Sequence, residues 1–238
     1  MRTTSKNCGK APDEMFSNAC DLFLPLFGGV GSITAGQPPG PLVAVACRIS
    51  KSFVLTAQHV IAECANSGSL TSFIGRSGLL TCVPAWEDIE SDIAILRVRH
   101  EVPLPRQPTI TQFPVLPTAP TGIGSSVGYL SILRRIDQSG DAFPTAYFGQ
   151  ASVSTIETRE RNNLRFMLSD GIMQSGFSGS PVFTSDGTIQ GVIVQTVLFP
   201  TVTGLGHQET QIKPVFSSIW PFVDRIQTLV DSEPDPEA

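Results

Sequence analysis

The sequence predicts an all-β protein of two successive barrels closed by one C-terminal α-helix. Three observations carry that expectation. Short apolar or alternating runs, broken by Gly, Ser and Pro turns, fall into two sets. A stretch crowded with proline separates the sets, and the end of the chain changes to helical spacing.

Residues 1–20 read as an N-terminal extension. The first barrel, 21–102, is expected from runs at Asp21–Phe27, Leu42–Ile49, Ser52–Ala57, Leu70–Ile74, Leu79–Val83 and Ile93–Val98. Pro103, Pro105, Pro108, Pro114, Pro117 and Pro120 then favour an extended strap over 103–120, because proline lacks the N–H that a ladder needs. The second barrel, 121–216, follows from runs at Ser126–Leu133, Thr145–Ile156, Leu164–Leu168, Pro181–Phe183, Thr188–Phe199 and Gln208–Phe216. Over 217–231, Ile219, Phe222, Val223, Ile226, Leu229 and Val230 recur at helical spacing, with Ser217 or Ser218 as a cap and Pro221 tolerated in the first turn. The acidic, Pro-containing end at 232–238 is expected to be disordered.

Composition narrows the function classes. With 41% hydrophobic and 16% charged residues, 238 residues can bury a sizeable core. A net charge of −5 with no basic block argues against a nucleic-acid partner, since phosphate binding needs clustered Lys and Arg. Apolar runs are interrupted too soon to span a bilayer, and Met1–Lys10 is not followed by an apolar stretch with a cleavage site. No membrane association and a cytoplasmic location are therefore expected. The cysteines, Cys8, Cys20, Cys47, Cys64 and Cys82, are odd in number and lack Cys-x-x-Cys or zinc-type spacing, so reduced thiols and no metal or cofactor are expected.

Gly176-Phe177-Ser178-Gly179-Ser180-Pro181 flanks a serine with small residues and forbids helix on its C-terminal side. Taken alone it is as well read as a flexible turn. A serine hydroxyl is a poor nucleophile at neutral pH and needs a base, itself oriented by a third group. His59, His100 and His207 are the only imidazoles. His59 follows an apolar run in Val54-Leu55-Thr56-Ala57-Gln58-His59-Val60, and Asp92 stands alone in Ser91-Asp92-Ile93-Ala94-Ile95-Leu96. Singly, each is more often structural. Jointly, in the order His, Asp, Ser, they suit an acyl-transfer site.

These three segments resemble the trypsin/chymotrypsin superfamily of serine peptidases, and the likeness extends from about Leu42 to Val230. The resemblance implies two six-stranded antiparallel β-barrels with the site between them, His59 and Asp92 from the first and Ser178 from the second. It also implies roles: Ser178 as nucleophile, His59 as general base and acid, Asp92 orienting His59, and the N–H groups of Gly176 and Ser178 as an oxyanion hole. Alignment on Ser178 sets the base of the primary specificity pocket near Ile172 and Met173 and one wall near Val194, Gln195 and Thr196. With no carboxylate at the base, apolar or small residues are expected before the cut, unless Asp170 bends inward.

Departures from the animal pattern are informative. Val60 stands where secreted relatives carry a loop-stapling cysteine. Phe177 stands where trypsin-type enzymes have the Asp that receives a newly cut N-terminus. Val194 replaces a serine that supports the catalytic Asp in many relatives. Bacterial and HtrA-type relatives also lack the Asp at the position of Phe177, although no PDZ-sized extension follows here. The expected partners are a protein or peptide substrate and a regulatory partner, with restraint of the enzyme left open between such a partner, a narrow substrate choice and an activating ligand. Two alternatives stand beside this reading. One is a catalytically silent, peptidase-like binding or scaffold module. The other is an α/β-hydrolase using Ser178, Asp186 and His207, which fits poorly because Ser180-Pro181-Val182-Phe183 reads as a strand and not as the helix an elbow requires.

Overall fold

The structure, a computed structural model, describes residues 30–35, 42–66, 71–75, 78–103, 113–136, 142–159, 163–169, 176–202 and 208–233. Its first half holds β1 (Val30–Ala35), β2 (Leu42–Arg48), β3 (Phe53–Thr56), α1 (Gln58–Asn66), β4 (Thr71–Gly75), β5 (Gly78–Asp88) and β6 (Ile93–Pro103). These strands close a six-stranded barrel in the order β1-β2-β3-β6-β5-β4, every described pairing antiparallel.

The second half holds β7 (Ser126–Ile136), β8 (Ala142–Arg159), β9 (Asn163–Leu168), β10 (Pro181–Phe183), β11 (Ile189–Val202) and β12 (Gln208–Ser218). Its sheet runs β10-β11-β12-β9-β8-β7, and β7 returns to β10 through Val182↔Tyr129 and Phe183↔Gly128. A 3₁₀ turn (Trp220–Phe222) and α2 (Val223–Asp231) end the described chain.

Strand alternation sorts the core. On β11, Ile193 joins Val127, Tyr129, Val153, Phe166, Leu168, Val182 and Phe216 inside the second sheet, where Phe166 and Phe216 stack at 4.9 Å. Its neighbours Val192 and Val194 face the other way and join the first-barrel residues Val54, Leu55, Ile93 and Ile95 in one continuous cluster. The two halves therefore share buried apolar surface beneath the site, which resists their sliding apart.

The periodicity marked strand centres better than ends. Expected Leu79–Val83 is β5 over Gly78–Asp88, bulged at Thr81/Cys82 and Pro84/Trp86, and expected Ile93–Val98 runs on to Pro103. Beyond the core these extensions carry mostly exposed or half-exposed residues, held by cross-strand hydrogen bonds and by side-chain contacts such as Arg48 with Glu101 at 3.0 Å, so apolar alternation stops reporting them. Expected Asp21–Phe27 lies outside the described residues, as do 104–112 of the strap. The first described strand is instead Gly-containing Val30–Ala35, which pairs with both β2 and β4.

Two corrections concern helices. Ser217 and Ser218 are the last residues of β12, paired with Val192 and Gly191, and do not cap α2; the Ser218 hydroxyl accepts instead from Trp220 N at 3.2 Å, at the start of the 3₁₀ turn with Pro221 that precedes α2 at Val223. Ile226 is fully buried, Phe222 packs on Trp86 at 5.1 Å, and Glu233 Oε1 accepts from Ser52 N at 2.8 Å and from the Ser50 hydroxyl, which anchors the helix on the β2–β3 turn. The second is α1, not anticipated from sequence, which buries Val60, Ile61 and Cys64 among residues 58–65.

Candidate active site

His59 is the second residue of α1, which begins one residue after β3. A helix start leaves main-chain N–H groups without intrahelical partners and favours negative charge nearby. Asp92 meets both needs: its Oδ1 accepts from His59 N at 2.8 Å while its Oδ2 accepts from His59 Nδ1 at 2.8 Å. One carboxylate thus fixes both main chain and ring. With Nδ1–H committed to Asp92, the neutral ring presents Nε2 as a proton acceptor.

Asp92 sits in a turn before β6 with φ 58°, left-handed backbone that Asp and Asn tolerate better than other residues with a Cβ. Its carbonyl accepts from Gln58 N at 3.2 Å, so the turn grips the start of α1 from a third point. His59 is raised above 6.5, first by the hydrogen bond to Asp92; partial burial opposes this, and the charges of Asp92 and Glu63 add to it. Glu63 lies one helical turn after His59 on α1.

Ser178 occupies a tight turn bonded to both halves of the molecule. Val45 N on β2 donates to Ser178 O at 2.8 Å, Gly179 N donates to Ile193 O at 2.7 Å, and Ile193 N donates to Ser180 O at 2.8 Å. Ser180 N closes the turn on Phe177 O at 3.0 Å, and the Ser180 hydroxyl donates to Ser131 Oγ at 2.9 Å inside the sheet. Gly176 and Gly179 stand at φ 95° and 81°. A Cβ on Gly179 would lie 2.0 Å from Val45 O and 2.3 Å from Thr56 Oγ1. The Ser178 turn is therefore pressed against the end of β3, three residues before His59.

Gly179→Ala tests that close approach. Left-handed strain plus overpacking against a main-chain carbonyl should cost about 2–5 kcal/mol. Urea unfolding should show a clearly lowered midpoint. An unchanged midpoint would mean that the two halves do not meet here as described.

The other residues singled out from sequence are dispersed. Phe177 is 1% exposed and packs on Tyr147 at 5.8 Å. Val194 is buried in the shared core, Gln195 is half-buried, and Thr196 is exposed and paired with Pro214. Ile172, Met173, Asp170 and His207 lie outside the described residues. His100 is exposed on β6, opposite Thr81. Asp186 lies in the β10–β11 turn, where Oδ1 accepts from the Thr184 hydroxyl at 2.6 Å and Thr188 N at 3.1 Å. A strand, β10, and no helix, follows Ser178.

Burial pushes the Cys47 and Cys82 thiols up to about 12, so neither is a nucleophile at neutral pH. Among the described residues no group of His, Cys, Asp and Glu is gathered as metal ligands, and no helix is long and apolar enough to cross a membrane. Sequence reasoning missed Arg165 and Asn163, which reach from β9 to the turn carrying Asp92. Nothing in their local pattern separates them from ordinary strand residues.

The model of the trypsin-like peptidase domain matches residues 44–192, a span that contains His59, Asp92 and Ser178. The chain belongs to that family. No curated protein matches the sequence of this trypsin-like peptidase domain. Among solved structures, an inactive form of Rv3671c from M. tuberculosis H37Rv is similar over 95% of this chain and 98% of its own, with 17% identity and a TM-score of 0.57. Neuropsin, a serine protease expressed in the limbic system of mouse brain, covers 87% of this chain and 96% of its own at 14% identity and a TM-score of 0.60. Human heparin binding protein covers 89% and 96% at 17% identity and a TM-score of 0.59. At such identities these likenesses speak for the fold.

Proposed function

We propose that this trypsin-like peptidase domain is a serine endopeptidase that cleaves peptide bonds through an acyl-enzyme. The first barrel supplies His59 and Asp92, and the second supplies Ser178. The observations that carry the reading are the two-point clamp of Asp92 on His59 and a serine turn bonded to β2 and packed on Thr56, three residues before His59. In this reading His59 Nε2 takes the Ser178 proton as the oxygen attacks the scissile carbonyl. The imidazolium, stabilised by Asp92, then protonates the leaving amine. Water repeats the sequence in reverse on the ester. The N–H groups of Gly176 and Ser178 receive the developing oxyanion.

Phe177 bears on control. Its ring is buried among Tyr147 and the second-sheet core, and an apolar side chain cannot receive an N-terminal ammonium group. Activation by a newly cut N-terminus is therefore not part of the reading, and restraint falls to a partner, to narrow substrate choice or to an activating ligand.

Specificity is tested with a peptide library. Apolar or small residues before the cut should dominate, because the positions that alignment on Ser178 gives to the pocket base, Ile172 and Met173, offer a cationic side chain no counter-charge. His59→Ala protein serves as the blank. A profile dominated by Arg or Lys would overturn the specificity reading, and a profile identical to the blank would overturn the peptidase reading.

A further inference from the structure

Asp92 directs both carboxylate oxygens to His59, and the position where many relatives carry a supporting serine holds buried Val194. Placement of the carboxylate must therefore come mainly from the main chain of its own turn. Within that turn, Ser91 N donates to Asp88 Oδ1 at 2.8 Å and Asp92 N to Ile89 O at 3.3 Å, leading into the left-handed residue.

The outer carbonyl of the turn, Glu90 O, is held from the second sheet. Asn163 and Arg165 lie two apart on β9, so they share a face, while intervening Leu164 and following Phe166 turn toward the second-sheet core. They are only 2% and 7% exposed. Asn163 Nδ2 donates to Glu90 O, and Arg165 Nη2 donates to the same oxygen at 3.2 Å. The other arm of the guanidinium, Nη1, donates to Gln195 Oε1 at 3.0 Å on β11. A buried guanidinium is retained at a cost unless its donors are used, and its rigid fork suits bridging two fixed acceptors.

We infer that Arg165, seconded by Asn163, is a positioning residue for Asp92: a strut that crosses between the barrels at Glu90 O and ties the Asp92 turn to Gln195. The inference rests on the reading of His59 and Asp92 as a base and its orienting group. It makes the catalytic turn and the strand expected to bind substrate move together, because one side chain holds both.

The test is the titration of His59, followed by NMR on protein carrying ¹⁵N-labelled histidine, with His59→Ala used to assign its signals. Asp92 and Glu63 raise the ring, and Glu87, Asp88 and Glu90 lie further along the same strand and turn. Removing a nearby cation would by charge alone favour imidazolium and move the midpoint up. Loss of Asp92 placement moves it down, so the sign separates the two causes.

In Arg165→Met the midpoint should move to lower pH, and peptide kcat/KM should fall by roughly tenfold to a hundredfold. Arg165→Lys keeps the charge but cannot span both acceptors, so it should move the midpoint the same way by less. It carries the test should the Met variant fail to fold. Adding Arg165→Met to Asp92→Asn should change little more, since both act through one carboxylate. A midpoint unmoved or raised in the folded variants overturns the strut. A lowered midpoint in a protein that hydrolyses no peptide would uphold the strut and reject the peptidase reading.

Discussion

Ser178→Ala should lower kcat on a peptide amide by about 10⁶-fold while leaving substrate binding nearly intact. The reason is chemical: the alanine variant has no oxygen to acylate, whereas the turn that presents residue 178 is held by main-chain bonds from Val45 and Ile193 that survive the change. His59→Ala should cost about as much, because an unactivated hydroxyl at neutral pH is almost as ineffective as none. The double variant should be scarcely slower than either single one. Residual activity should still exceed the uncatalysed rate, by about 10³–10⁴-fold, if the Gly176 and Ser178 N–H groups bind the oxyanion. Additive losses in the double variant would show that His59 and Ser178 do not act as one unit.

Asp92→Asn should reduce turnover by about 10⁴-fold with the fold intact. Asparagine tolerates left-handed backbone, so the φ of 58° adds no new strain. The amide NH₂, however, donates where Oδ2 accepted, forcing His59 to carry its proton on Nε2, the atom that must act as base. The pH profile gives a second readout with a definite sign. The base-active ring is neutral, so wild-type kcat/KM should fall as pH drops through the His59 value, which the Asp92 hydrogen bond holds above 6.5. In Asp92→Asn that acidic limb should move to lower pH, because the first cause of the raised value and the carboxylate charge are both gone. A limb that stays put would assign it to some other group.

How much of this was legible beforehand depends on the range of the interactions. The three segments proposed as catalytic are local patterns: a histidine just after an apolar strand, a lone carboxylate opening another, a serine followed by glycine in Gly176-Phe177-Ser178-Gly179. The structure sets the first two in direct contact, and it presses the glycine after the serine against β3. Strand centres were legible where short, mostly apolar runs are buried residue after residue, as in Phe53–Thr56 or Pro181–Phe183. Their exposed extensions were not, since cross-strand hydrogen bonds leave no mark on residue type. Helix α1 escaped notice because few of its residues meet apolar surface, and its start is capped by Asp92, a residue more than 30 positions away. The grip of Arg165 on Glu90 O spans a sequence separation of 75 and ends on a main-chain carbonyl, which no side-chain pattern can announce.

The most direct measurement is covalent labelling of the folded wild-type chain with a fluorophosphonate, read by intact mass and peptide mapping. A single adduct on Ser178 is expected, absent in Ser178→Ala and strongly slowed in His59→Ala. A folded wild-type protein that takes no label, or a Ser178→Ala protein that labels as well as wild type, would contradict the assignment of Ser178 as an activated nucleophile.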